Sequence, residues 1–286
     1  MGALDKGDRD VERKIRNRVS EILEKTSPKE LLDMDIQGSQ LMYSIFGFIP
    51  ATDCTDNVIL LSNLGYVLGQ KGYNVCLVDF KVFQPNLYLY LDMPHNPKGK
   101  GLITLLKDDK ADLREEISKT KYDGLYLLSP SPQDLMEEYF DYEMEQVSFV
   151  IEILKKSFDI VLIDIPNVPP LEFCLGAMKH CHVGFFTATE RIDALSGVTR
   201  LLDFAGSLGI GVNKFANMIF TNMQYVKFDY ASLEKLHLRI VAGLPMVKGA
   251  ITDALDGKLY MKDNPFVSSA FKKELGKIVS DILDQE

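Results

Sequence analysis

Five stretches of this chain are apolar almost without interruption: LMYSIFGFI (41–49), YNVCLVDF (73–80), FDIVLIDIP (158–166), HVGFFTATE (182–190) and FANMIFTNM (215–223). A strand with one wet face alternates polar and apolar residues, whereas a strand covered on both faces has no polar side. None of these runs approaches the roughly 20 residues needed to cross a bilayer. Segments of helical length and period lie between them, notably NVILLSNLGYVLGQKG (57–72) and DALSGVTRLLDFAGSLG (193–209). Buried strands alternating with helices imply an α/β fold: a doubly wound, mostly parallel sheet with helices on both faces.

Weaker signals fill in the order. GLITLLKD (101–108) and ADLREEISK (111–119) read as helical, GLYLLSPS (124–131) as a short strand and residues 134–157 as one long helix. RIVAGLP (239–245) reads as a short strand, and SSAFKKELGKIVSDIL (268–283) as a closing helix. Residues 9–25 have an amphipathic helical pattern, with Val11, Ile15, Val19, Ile22 and Leu23 on one face and Arg13, Arg16, Arg18 and Glu21 on the other. That pattern suits packing on the chain's own domain better than a membrane surface, because acidic residues nearly cancel the basic ones. Ser27 and Pro28 start a further helical turn as N-cap and first helical residue. The expected division is a helical extension over 1–40 and an α/β domain over 41–286.

Composition narrows the function classes. With 32 basic and 41 acidic residues the net charge is −9, which gives no strong nucleic-acid signal. Cys54, Cys76, Cys174 and Cys181 fit neither a metal-binding spacing nor a disulfide framework, so they are expected as core thiols in a reducing compartment. The charged start MGALDKGDRDVERK does not resemble a signal peptide, and a cytoplasmic location is expected. Of His95, His180, His182 and His237, two flank Cys181, a pattern that reads as a turn before a strand. No metal site is expected.

In an open α/β sheet, ligands sit at the carboxyl ends of the strands. The residues there are PATDCTDNV (50–58) after the first strand, Asp79 after the second, Asp164 in IVLIDIPNVPP (160–170), and Asn222 in IFTNM. This order resembles the ParA/MinD family of P-loop ATPases. The segments that carry the resemblance are SNLGYVLGQKGYNVCLVDF, QPNLYLYL, FDIVLIDIPNVPP, TATERIDALSGVTRLLDF and the closing LPMVKGAITDALDGKLYMKDNPFVSSAFKKELGKI, over about residues 40–283. Their order and spacing are specific; no single piece is.

Anchored on Ser62, Asn63 and Leu64, the family's phosphate loop falls on Thr52, Asp53, Cys54, Thr55, Asp56, Asn57 and Val58. Such a loop uses glycines so that backbone N–H groups can wrap phosphates, a lysine on the β/γ-phosphates and a Ser/Thr hydroxyl on Mg²⁺. Here the glycines are missing, Asn57 stands for the lysine and Val58 for the hydroxyl. Asp53 and Asp56 place negative charge where a polyanion would sit, and either could cap the following helix. The family's Asp-x-Asp after the second strand reads Asp79-Phe80-Lys81. Lys81 is expected to pair with Asp79 or Asp164 and so to replace magnesium. Asp164 matches the Walker B carboxylate, and Asn222 the adenine-contacting Asn.

The resemblance therefore implies a degenerate member that is a scaffold or localisation factor and not an ATPase, similar to the pilus-assembly (TadZ/CpaE-like) branch. No catalytic residue and no cofactor is expected. The alternatives are an ATP/ADP-binding switch working by an altered loop, and a regulatory partner of an intact ATPase. The family implies protein partners, a homodimer, and recruitment by a partner to membrane-associated machinery at the inner face of the membrane. The acidic end FKKELGKIVSDILDQE does not resemble a membrane anchor.

Overall fold

The computed structural model describes residues 43–52, 56–190, 192–224 and 238–284. The amphipathic pattern over 9–25 and the Ser27–Pro28 turn lie outside them. Among the described residues the strands are β1 (Ile45–Pro50), β2 (Val75–Asp79), β3 (Ser118–Lys119), β4 (Leu125–Leu128), β5 (Ile160–Asp164), β6 (Val183–Ala188), β7 (Asn217–Met223) and β8 (Arg239–Pro245). They form one sheet in the order β3-β4-β2-β5-β1-β6-β7-β8. Every pairing is parallel except that of β3, which runs antiparallel along β4.

The longer helices are α1 (Asp56–Gln70), α2 (Met144–Ser157), α3 (Leu171–His180), α4 (Ile192–Ser207), α5 (Lys248–Leu255) and α6 (Ser269–Leu283). Side chains alternate across the sheet, so the two faces feed two cores. Phe46, Phe48, Val75, Leu77, Ile160 and Leu162 pack with α1 and α6. Ile45, Ile49, Cys76, Val78, Val161 and Ile163 pack with α2, α3 and α4. This two-sided burial is why β1, β2, β5 and β6 read as unbroken apolar runs. Cys76, Cys174 and Cys181 are buried free thiols, as expected of core cysteines; Cys54 lies outside the described residues.

Two readings need correction, and one helix has no counterpart among them. Residues 134–157 are not one helix: a 3₁₀ turn over Met136–Phe140 precedes α2. The break is held locally, because the Tyr139 hydroxyl donates to Asp134 at 2.6 Å. A new N-terminus then forms where the Glu143 N–H donates to Gln146 Oε1 at 3.0 Å. Within 111–119 only Leu113–Glu116 is helical; Ile117 turns extended and Ser118–Lys119 becomes the edge strand β3. Helix α3 carries no helical signal in the sequence, because Phe173 to Met178 are all buried and leave no polar stripe.

Candidate functional site at the carboxyl ends of the strands

β2, β5 and β1 lie side by side, and their register sets Asp79 against Asp164 and Asp164 against Phe48. The period-two alternation that points Leu77, Leu162 and Phe48 at α1 points both carboxylates the same way. Asp79 and Asp164 are therefore neighbours beneath the start of α1, and both are fully buried.

Each carboxylate is held differently. Asp79 organises the loop that follows it. Its Oδ1 accepts the Lys81 N–H at 3.0 Å, and its Oδ2 accepts the N–H groups of Asn86 at 2.9 Å and Leu87 at 3.1 Å. The Gln84 N–H donates to the Lys81 carbonyl at 3.0 Å, closing a tight turn. That turn carries the Lys81 side chain back over the strand ends. Its Nζ sits 3.0 Å from Asp164 Oδ2, with 18% of the side chain exposed. On the other side Asn57 Nδ2 donates to Asp164 Oδ1. Among the described residues the Asn57 Oδ1 is buried without a hydrogen-bond partner.

The electrostatics follow from this crowding. Burial pushes the Asp79 carboxyl up to about 7, and the neighbouring Asp164 carboxylate adds to the rise; the amides of Leu87 and Asn86 and the charge of Lys81 oppose it. Burial also raises Asp164, while Lys81 and Asn57 pull it back. Among the described residues, two buried neighbouring carboxylates thus lie beside the Lys81 ammonium, and burial raises the pKa of both.

Thr52 is half-buried just beyond β1; Asp53, Cys54 and Thr55 lie outside the described residues, and Asp56 is the first residue of α1. Val58 is wholly buried in the core under α1. Asn222 stands apart from the carboxylates at the end of β7, at φ 55, where the register with β8 is irregular. It lines a pocket with Thr221, Pro245 and Phe271 that encloses about 20 Å³, the space of a single water. Sequence reasoning treated Asn57 only as a missing lysine; in the structure it grips Asp164. It also missed Asn167, whose Nδ2 donates to the Pro50 carbonyl at 2.8 Å and ties the exit of β5 to β1. No spacing in the sequence signals either contact.

A magnesium-bound phosphate would require an ammonium at position 57, a hydroxyl at 58 and an open carboxylate oxygen on Asp164. Position 57 holds an amide bonded to that carboxylate, position 58 a buried isopropyl group, and Asp164 Oδ2 faces Lys81. Among the described residues, positions 57, 58 and 164 do not offer these three groups.

The eight-stranded, mostly parallel sheet with helices on both faces is the fold of solved MinD and ParA ATPases. Cell division ATPase MinD of Pyrococcus furiosus superposes with a TM-score of 0.70 at 21% identity, over 86% of this chain and 100% of that one. A ParA family ATPase from Chlorobium tepidum gives 0.70 at 20% identity, over 82% and 96%. A chain of the MinC:MinD cell division protein complex of Aquifex aeolicus gives 0.68 at 15% identity, over 85% and 97%. Neither a protein-family model nor a curated protein sequence matches the chain.

Proposed function

We propose that this protein is a MinD/ParA-fold scaffold or localisation factor whose nucleotide switch has been replaced by an internal ion pair. The observation that carries the proposal is Lys81 Nζ at 3.0 Å from Asp164 Oδ2, with Asn57 on the other oxygen. The lysine supplies positive charge at the carboxylate that matches the Walker B position. With Val58 in the core, no hydroxyl is offered for magnesium at that position. The strand ends are then set in one arrangement without nucleotide.

A fixed strand-end surface suits a protein-binding role. A cleft of about 570 Å³ beside Lys81 is walled by Pro50, Phe83, Pro166, Val168 and Pro170. Val168 is 48% exposed, Met136 51% and Phe140 56%, and exposed apolar side chains grouped in this way mark interaction sites. The MinC:MinD complex shows that this fold carries a partner protein in at least one relative. Among the described residues no helix is long and apolar enough to cross a membrane.

The test is thermal denaturation and titration calorimetry with Mg²⁺·ATP and with ADP. A ligand at 100 times its Kd stabilises by about 2.7 kcal/mol. The expected result is no shift at millimolar nucleotide, together with a sedimentation profile that nucleotide does not change. A saturable shift with ATP would overturn the proposal.

A further inference from the structure

At the opposite, amino end of the sheet lies a second cleft of about 660 Å³. Tyr126 and Phe158 form its floor, with ring centroids 5.3 Å apart, and Ile117 and Ile153 extend it. Arg114, Lys119 and Lys156 stand exposed around it. None of the three is paired with a carboxylate among the described residues. Of the acidic groups nearby, Asp112 accepts the Arg114 N–H at 3.0 Å and Asp159 the Asn74 N–H at 2.8 Å, while Glu152 feels the charge of Lys156 without an ion pair to it. An apolar floor ringed by unpaired cations is unusual on a chain of net charge −9. It calls for an occupant that is both apolar and acidic.

We propose that the occupant is this chain's own segment 31–36, Leu31-Leu32-Asp33-Met34-Asp35-Ile36. Asp33 and Asp35 complement the cations, and Leu32, Met34 and Ile36 complement the aromatic floor. The tether also fits. The described chain begins at Tyr43, beside β1 at the same end of the sheet, where Val161 N–H donates to the Ser44 carbonyl at 2.7 Å. From β1 the cleft lies across β5 and β2 to β4, three inter-strand steps of about 4.8 Å, or roughly 15 Å. Residues 37–42 span roughly 20 Å when extended. The cleft is independent of the strand-end carboxylates, so this inference stands or falls apart from the proposed function.

The test is carbodiimide cross-linking of the full chain, which joins a carboxylate to a nearby lysine amine, read by mass spectrometry on a mixture of light and heavy protein. Cross-links of Asp33 or Asp35 to Lys119 or Lys156 are expected, within one chain. Arg114→Gln and the pair Met34→Ser/Ile36→Ser leave every reacting group in place. Each is expected to lower the yield at least about threefold, as a docking contact of roughly 0.7 kcal/mol would. Cross-links to other lysines, links only between light and heavy chains, no links, or a yield unchanged in both variants would each overturn the inference.

Discussion

Replacing Lys81 by methionine keeps most of the side-chain stem and removes the ammonium. Asp164 is fully buried and its Oδ2 lies 3.0 Å from Lys81 Nζ, while Asp79 is the register neighbour on the adjacent strand. Removing one partner of a buried ion pair costs about 3–5 kcal/mol when the other stays charged. Asp164 has a cheaper outlet, because its carboxyl is already held above its ordinary range and can bind a proton. In the unfolded chain an aspartate ionises near 3.9, so keeping it protonated in the fold costs about 1.4 kcal/mol for each pH unit above that value. The loss in Lys81→Met is therefore expected to be about 4 kcal/mol at pH 7 and about 1.5 kcal/mol at pH 5. The sign follows from linkage: a carboxyl with a raised folded pKa binds more protons in the fold, so stability falls as pH rises. Urea unfolding followed by circular dichroism at pH 5, 6, 7 and 8 measures the loss from the midpoint shift. Adding Asp164→Asn to Lys81→Met removes the stranded charge and is expected to recover part of it at pH 7. A Lys81→Met protein within about 0.5 kcal/mol of the parent at every pH would refute the account of the site.

Other expectations follow from the same geometry. With its carboxyl pushed up to about 7, Asp79 makes the parent less stable as pH rises from about 4 to 7. Asp79→Asn should flatten that slope while lowering stability overall, since an amide NH2 replaces one of the two oxygens that accept the three backbone N–H groups; urea midpoints across that range report both effects. His182 Nδ1 accepts the N–H groups of Ser44 at 2.9 Å and Ile45 at 3.2 Å, and burial together with Lys155 and Lys214 holds its pKa below the ordinary value, against Glu152. Stability should therefore be full above pH 6.5 and be lost as pH falls below it, and His182→Phe should abolish that acid-side loss at a cost of about 1–3 kcal/mol at pH 8. Gly184→Ala should destabilise by roughly 1–3 kcal/mol in the same unfolding assay, because a Cβ there would stand 2.1 Å from the Phe215 ring.

Much of the architecture was legible because two-sided burial writes itself directly into sequence. Strands β1, β2, β5, β6 and β7 were readable as continuous apolar runs, and α1 and α4 by helical period. The same rule hid α3, since a helix buried all round has no polar face to mark its turns. The break before α2 was invisible for a different reason: it depends on single hydrogen bonds, Tyr139 to Asp134 and Glu143 to Gln146, that leave composition unchanged. At the site, strand ends supplied Asp79 and Asp164, and charge alone suggested a partner for Lys81. Which carboxylate it meets was not legible. That choice is made by the three-residue turn from Asp79, whose own carboxylate is consumed by the amides of Lys81, Asn86 and Leu87.

A cation carried on the chain differs from a bound one in how it responds to the cell. A diffusible ion occupies its site according to its concentration, whereas a lysine two residues from the neighbouring strand end is present at an effective concentration fixed by the loop. The Lys81–Asp164 contact therefore has no off state that depletion of a metal or a nucleotide can reach. Under the proposed function, a protein built this way keeps no clock of its own, and its timing is set by how much of it is made and by which partners are at hand.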